Sequence, residues 1–250
     1  MRSIKSSERT MAIFEHFRAV RRPLTVGEIA SALGLPQSST SMLVKNLEDT
    51  GYLDRIDEDR TFLPSLRIRL LGDWLQSSMP IAGLMIKWMV DLQRQTGETI
   101  LLGRQRGPNI QYIAVEQEDF GVQLRMKPGI VRPMSLAACG HVLLALKPTS
   151  EARAIIRRNN AEATTPTHHR NESELIHRLS EIGISGYSES DALLTPGASV
   201  LAMAIIPKPG DKPLAIGVGC PVDRMAIKRR RIIDLLREVV DEIASSRNPP

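Results

Sequence analysis

Residues 23–53, PLTVGEIASALGLPQSSTSMLVKNLEDTGYL, decide the fold of the N-terminal part of this chain. Thr25 and Glu28 have the spacing of a capping box, in which a hydroxyl and a carboxylate satisfy the free amides at the start of a helix. Gly34 ends that helix, because glycine adopts the left-handed backbone without a Cβ clash. Pro36 suits the first turn of a second helix. The stretch therefore predicts two short helices joined by a glycine turn.

The second helix has two faces on a helical wheel. Its inward side is predicted to carry Ser39, Leu43 and Leu47. The outward side is polar and consists of Gln37, Ser38, Ser41, Lys45 and Glu48. Short hydroxyl and amide groups at a helix N-terminus suit phosphate contact through backbone N–H groups and can reach base edges in the major groove. An ordinary capped surface helix is the alternative interpretation.

Two short β-prone runs follow, at residues 52–56 and 61–63, on either side of an acidic turn at 57–59. Helix, turn, helix and hairpin in this order predict a winged helix-turn-helix domain over residues 1–64. Basic side chains of the wing are candidates for contact with the DNA backbone or minor groove. The candidate DNA-binding residues are Thr25, Gln37, Ser38, Ser39, Thr40, Ser41, Lys45, Arg55 and Arg60.

Composition sets limits on function. The 250 residues, of which 42% are apolar, suffice for two globular domains. The net charge is +5, yet residues 1–76 hold 11 Lys and Arg against 10 Asp and Glu, so overall basicity does not identify a nucleic-acid partner. Two cysteines, expected to be reduced, are too few for a disulfide framework. Without a membrane-length apolar run or a signal-peptide core, we expect a cytoplasmic protein that binds no membrane.

Five segments, taken in order and spacing, resemble the IclR family of bacterial transcription regulators over nearly the whole chain. They are GLPQSSTSMLVKNLEDTGYL, FLPSLRIRLLGDWL, PMSLAACGHVLLAL, GYSESDALLTPGAS and PLAIGVGCPVDRM. The resemblance implies a linker helix over residues 65–79 and a GAF-like, antiparallel-sheet effector domain over residues 80–250. The overall fold class is then α+β.

The residues of the second domain support that expectation. Helical patterns occur at residues 81–96, 136–147 and 227–244. They alternate with β-prone runs bounded by turn residues, at 99–104, 109–116, 122–127, 199–206 and 214–220. Several strands and helices in this arrangement predict an α+β domain.

The proposed effector pocket departs from the family pattern at several positions. The departures are Ser135 in place of a histidine, Ala192 and Leu193 in place of an acidic pair, Val200 in place of a cysteine, and Gly217 and Gly219 in place of small hydroxyl residues. These changes remove polar anchors and predict a roomier, largely apolar site that suits an aromatic or bulky metabolite. A β-bulge is the alternative explanation of the two glycines.

Arg132 is the first candidate partner for an effector carboxylate, ahead of Arg104 and Arg125, because guanidinium forms two parallel hydrogen bonds to that group. Most arginines, however, are surface residues. Ser135, Glu189, Ser190 or Asp191 could also orient the effector. The candidate effector-binding residues are Met126, Arg132, Met134, Ser135, Leu136, Cys139, Ser190, Val200, Gly217 and Gly219.

Enzymatic interpretations lack residues to support them. Cys139 and His141, two positions apart on a helix, point in different directions and cannot form a catalytic pair. His168, His169 and His177 lack metal-ligand spacing and fit a solvated loop. We therefore expect no catalytic residue, metal or cofactor, and a solvated face for the basic run 228–231. A small-molecule-binding protein or enzyme with a vestigial DNA-binding head, and a winged-helix protein without an effector site, are the alternatives.

The sequence predicts a ligand-responsive transcription regulator of a catabolic operon, acting as repressor or activator. A homodimer or tetramer would place two recognition helices in successive major grooves of a palindromic double-stranded operator. A small-molecule effector would then shift the balance between arrangements that match the operator and arrangements that do not. Met42 stands where relatives often carry a basic residue, so the operator sequence is not expected to match that of a relative.

Overall fold

The computed structural model describes residues 5–56, 60–78, 81–117, 124–190, 194–206 and 210–245. The chain forms two compact units, Met1–Pro80 and Ile81–Pro250. Within the described ranges, no helix is both long and apolar enough to cross a membrane.

The N-terminal unit is a winged helix-turn-helix followed by a linker helix, as predicted. Its elements are α1 (Lys5–Val20), α2 (Val26–Leu33), α3 (Gln37–Asp49), β1 (Leu53–Ile56), β2 (Thr61–Pro64) and α4 (Leu66–Ser78). Strands β1 and β2 pair antiparallel, and Leu24 and Phe62 exchange backbone hydrogen bonds of 3.0 and 2.8 Å that join the wing to the segment before α2. Ile13 and Phe17 of α1, a helix that the quoted stretch does not include, pack with Val44 of α3 in the core.

The start and end of α2 follow from local chemistry. The Thr25 hydroxyl accepts a hydrogen bond from the Glu28 backbone N–H at 3.2 Å, and the Glu28 carboxylate accepts one from the Thr25 N–H at 2.8 Å. Gly34 ends the helix with a left-handed φ of 62°. Both features were predicted, because each depends on residues only a few positions apart.

The C-terminal unit is an antiparallel sheet covered by helices on both faces, which confirms the α+β prediction. Its strands follow the spatial order β5-β4-β3-β8-β7-β6. In chain order the elements are α5 (Ile81–Thr96), β3 (Thr99–Arg106), β4 (Asn109–Glu116), β5 (Val131–Pro133), α6 (Ala138–Ala145), α7 (Thr149–Ala161), a 3-10 turn (Pro166–His168), α8 (Glu172–Ser185), β6 (Tyr187–Glu189), β7 (Ala198–Ile205), β8 (Leu214–Pro221) and α9 (Val222–Ser245).

Alternate residues of the central strand β3 serve two separate cores. Ile100 and Leu102 pack on the face covered by α5 and α9. Leu101 packs on the opposite face with α6 and α8. This period-two alternation gives both faces of the sheet an apolar layer.

Some predicted elements differ from the structure. No strand forms over residues 124–127, whereas positions 122–123 of that predicted run lie outside the described residues. Strands β5 and β6, of three residues each, are too short to give a periodic signal, and helices α7 and α8 were not predicted. Helix α9 begins at Val222, five residues before its predicted start. The acidic turn at 57–59 also lies outside the described residues.

Candidate DNA-binding face and effector pocket

Helix α3 exposes a continuous face on the side opposite its core contacts. We define the α3 outer face as Ser38, Ser41, Met42 and Lys45 together with Gln37, which is exposed at the start of the helix; Asn46 and Asp49 are also exposed towards its end. No acidic residue occurs in the first turn of α3. Backbone N–H groups, hydroxyls and one ammonium group are therefore available for a polyanionic partner.

The inward face of α3 differs from the prediction. Thr40, Val44 and Leu47 are buried, whereas the predicted Ser39 and Leu43 are only half-buried. Thr40 is fully buried, and its hydroxyl donates to the carbonyl of Pro36 at 3.1 Å. The prediction of Thr40 as a DNA-binding residue is therefore wrong. Contact with α2 and β1 sets the rotation of the helix, and a wheel drawn from one helix alone does not contain that information.

Two further candidate hydroxyls make intramolecular hydrogen bonds. The Ser39 hydroxyl donates to the Pro36 carbonyl at 2.9 Å. The Thr25 hydroxyl both caps α2 and donates to the Glu28 carboxylate at 2.9 Å. On the wing, Arg55 and Arg60 are exposed, and Arg60 has a left-handed φ of 50°.

The Thr25–Glu28 capping box makes the stability of the winged domain depend on pH. Hydrogen bonds from the Thr25 backbone and from Arg22 lower the pKa of Glu28 from 4.5 to about 2. A depressed folded-state pKa stabilises the fold above pH 4.5, and this stabilisation is lost as the pH falls towards 2. We expect Thr25→Ala to lower the unfolding free energy at pH 7 by about 1 kcal/mol.

Thermal melts at pH 7, 4.5 and 2.5 check this prediction. The Glu28→Gln variant should lose less stability than the wild type between pH 4.5 and 2.5, because it lacks the titrating carboxylate. Equal losses of stability in the two proteins would show that Glu28 is not the group that makes stability depend on pH.

The C-terminal unit encloses a small cavity between the sheet and the start of α6. Its volume is about 30 Å³, enough for one or two water molecules. Five predicted residues line it: Met126, Arg132, Leu136, Ser190 and Val200. The lining residues that the sequence did not reveal are Leu101, Tyr112, Leu124, Ala137, Ala138, Leu194, Thr195 and Ala198. The strand residues among them share one sheet face through register, so no motif in the chain marks them.

Five other predicted residues do not line the cavity: Met134, Ser135, Cys139, Gly217 and Gly219. Ser135 is fully buried; its backbone N–H donates to Asn159 Oδ1 at 3.1 Å, and its carbonyl lies 2.9 Å from His141 Nε2. It therefore holds the turn before α6. Met134 is also fully buried beside that turn.

The two glycines of β8 provide room for protein side chains. A Cβ at Gly219 would lie 2.5 Å from Cδ2 of Leu124, and one at Gly217 would lie 3.0 Å from Sγ of Cys139. The prediction that the glycines enlarge the pocket for a ligand is therefore wrong in this structure. Leu124 and Cys139 occupy the space that the missing Cβ atoms leave.

The polar groups of the cavity wall are one guanidinium, the phenol of Tyr112 and the hydroxyl residues Ser190 and Thr195. Among the described lining residues only Arg132 is charged, whereas Tyr112 is buried and interacts with it electrostatically. Burial raises the pKa of Tyr112 well above its usual value and that of Cys139, its hydrogen-bond partner, to about 12. Both groups therefore remain neutral at physiological pH, and Cys139 is not a thiolate nucleophile.

The remaining polar candidates lie elsewhere. Arg104 and Arg125 are exposed and outside the cavity lining, and Asp191 lies outside the described residues. Glu189 forms a 2.7 Å ion pair with Arg229 of α9. In the basic run, Arg230 and Arg231 are exposed as predicted.

Lys228 was predicted to lie on a solvated face with the rest of the run 228–231, but its ammonium group is bound within the protein. It donates hydrogen bonds to the carbonyl of Thr96 at 2.8 Å and to the buried carboxylate of Glu98 at 2.7 Å. It therefore joins α9 to the end of α5 and the start of β3.

A winged helix-turn-helix unit and a separate sheet domain with an internal cavity define a two-domain transcription regulator. Residues 6–57 match the IclR helix-turn-helix domain, and residues 75–245 match the family described as bacterial transcriptional regulator IclR C-terminal. The chain belongs to the IclR family of DNA-binding transcription regulators. The families and relatives that match this chain are transcription regulators.

Individual relatives agree with this assignment. The HTH-type transcriptional regulator XynR of Escherichia coli (strain K12) is 26% identical over 185 residues, 74% of this chain and 73% of that protein. The crystal structure of the Thermotoga maritima IclR has a TM-score of 0.63 at 20% identity and covers 98% of this chain and 99% of that one. An IclR homolog from Microbacterium hydrocarbonoxydans, crystallised in complex with 4-hydroxybenzoate, has a TM-score of 0.58 at 18% identity and covers 95% and 97% of the two chains.

Proposed function

We propose that this regulator senses a small aromatic or otherwise largely apolar carboxylic acid in its C-terminal unit. The observation that carries the proposal is the chemistry of the cavity: an apolar wall with Arg132 as the charged lining residue and the neutral Tyr112 phenol beside it. Among the described residues, Arg132 has no carboxylate partner, so an effector carboxylate can form the bidentate ion pair. The 4-hydroxybenzoate complex of the Microbacterium hydrocarbonoxydans homolog supports this ligand class.

Binding of such an acid requires the cavity to expand. A volume of about 30 Å³ is much smaller than an aromatic acid. Flexible lining side chains such as Met126 and Leu136 would have to move. A ligand that binds the expanded cavity more tightly than the closed cavity shifts the equilibrium between these two conformations. Such a difference in affinity is the physical requirement for an effector.

On the DNA side, we propose a homodimer or tetramer on a palindromic double-stranded operator, acting as repressor or activator of a catabolic operon. The N-terminus of α3 would contact phosphates, and Gln37, Ser38, Ser41 and Lys45 would face the major groove. Arg55 and Arg60 would contact the backbone from the wing. Residues 1–64 would form the DNA-binding domain, 65–79 the linker and 80–250 the effector domain, in a cytoplasmic protein.

The effector proposal predicts a specific loss on replacing Arg132. Aromatic monocarboxylates should raise the melting temperature of the wild-type protein, because a ligand at 100 times its Kd adds about 2.7 kcal/mol of stability. The Arg132→Leu variant should bind the same acids at least about tenfold more weakly, since hydrogen bonds to a charged group contribute about 1.5–3 kcal/mol. Isothermal titration of each variant with the acids found in a thermal-shift screen measures this loss.

Arg104→Leu is the matched control, because Arg104 is an exposed arginine outside the cavity lining. Its affinity should equal that of the wild type. Hits confined to short keto or hydroxy acids would contradict the proposed ligand class. If Arg132→Leu binds the acids with wild-type affinity, Arg132 does not contact the effector.

A further inference from the structure

Met42 is an exposed apolar residue in the middle of a polar surface. Its side chain is 69% exposed, although methionine is ordinarily buried. Ser38 lies four positions before Met42 and Lys45 three positions after it, so both share its side of the helix, and Ser41 lies one turn from Lys45 on the edge of that surface. The core contacts of α3 are made by Val44 and Leu47 on the other side of the helix. Packing within the winged domain therefore does not account for Met42.

We propose that Met42 is a specificity-determining residue that contacts the 5-methyl group of a thymine in the operator. This inference rests on the proposal that the α3 outer face enters the major groove. The thymine methyl is the apolar group that base edges present in that groove, and apolar side chains recognise it by contact. The unbranched, polarisable methionine side chain adapts to the position of such a group.

The neighbours of Met42 favour DNA over an apolar protein groove. An apolar groove that covered Met42 would also cover Ser41 and Lys45 and would remove their polar groups from water without a partner. A DNA groove provides a methyl group at its floor and phosphates at its edges within the same few ångströms. The mixed chemistry of the outer face therefore matches a nucleic-acid surface.

The geometry also places Met42 at the centre of the contact. Residues 38 to 45 span about 10 Å along the helix axis. That length corresponds to about three base pairs at 3.4 Å each. Ser38 and Lys45 lie at the two ends of this span and can reach phosphates, whereas Met42 lies between them.

The experiment uses thymine and uracil, which differ only in the 5-methyl group. A random duplex DNA library is first selected with the full-length protein, and each thymine of the enriched sequence is then replaced singly by deoxyuridine. Burial of one methyl group contributes about 0.8 kcal/mol, so we expect one replacement in a half-site to weaken binding about fourfold, and the symmetric pair about 15-fold.

Met42→Ala should bind the unmodified duplex more weakly by a similar factor and should not respond to the same deoxyuridine replacement. Met11→Ala is the matched control, because Met11 is an exposed methionine of α1, 64% accessible, in the same domain. This variant should keep the full response to deoxyuridine.

The outcomes separate the two proposals. An enriched sequence with no methyl-sensitive thymine, or a Met42→Ala variant that keeps the full deoxyuridine response, would overturn the assignment of Met42 and leave operator recognition by α3 intact. Failure of the wild-type protein to enrich any sequence would overturn both proposals.

Discussion

Replacing Ser41 and Lys45 together by alanine is expected to weaken operator binding by about 100-fold or more. Both side chains are exposed on α3 and lie one turn apart, so they address neighbouring positions on the DNA. Each polar interaction with the operator contributes about 1 kcal/mol or more, and a symmetric operator doubles that contribution. Removal of the Lys45 charge should also reduce the slope of log affinity against log salt concentration by about one per half-site. Fluorescence anisotropy at several salt concentrations measures both quantities.

Lys87→Ala is the charge-matched control for this double variant, since Lys87 is an exposed lysine of α5 in the C-terminal unit. It should bind the operator with wild-type affinity. Because Ser41 and Lys45 are not part of the hydrophobic core, the double variant should melt at the wild-type temperature. Wild-type operator affinity in a folded double variant would exclude α3 as the recognition helix.

Gly140→Ala is expected to cause the largest loss of stability in the C-terminal unit. A Cβ at this position would lie 2.5 Å from the Cα of Met134, in the turn before α6. Backbone atoms cannot rotate away as a side chain can, so the helix must move from the turn that bears Ser135. We expect a loss of about 3 kcal/mol or more, which corresponds to a fall of about 6–12 °C in the melting temperature.

The opposite result is expected at a second helical glycine. A Cβ at Gly183 of α8 meets no atom within 4 Å, so Gly183→Ala should raise stability by about 0.5–1 kcal/mol through helix propensity. Differential scanning calorimetry of the two variants compares the same substitution in two helices. If Gly140→Ala and Gly183→Ala lower the melting temperature equally, the close approach of Met134 to Gly140 does not determine the loss of stability.

The winged domain was predictable because its signals are local. The Thr25–Glu28 capping box, the glycine turn and the hairpin each depend on side chains a few residues apart, and the structure contains all three. The rotation of α3 was not predictable to one residue. Ser39 and Thr40 are similar, neighbouring hydroxyl residues, and only the packing of α3 against α2 and β1 places Thr40 inside.

The cavity of the C-terminal unit shows the limit of motif comparison more clearly. Its position near Arg132 and Leu136 followed from the family resemblance, but most of its wall comes from residues with no motif. Tyr112 enters the cavity because β4 pairs with β3 in a particular register, which no local pattern specifies.

The sequence by itself therefore determined the order of the domains, the capped helix α2 and the family, because these depend on short-range chemistry and on the order of motifs along the chain. Only the tertiary structure decided the size and lining of the cavity. The space beside Gly217 and Gly219 could have held a ligand or protein atoms. The fold fills it with Cys139 and Leu124, because close packing brings those distant side chains against the missing Cβ atoms of β8.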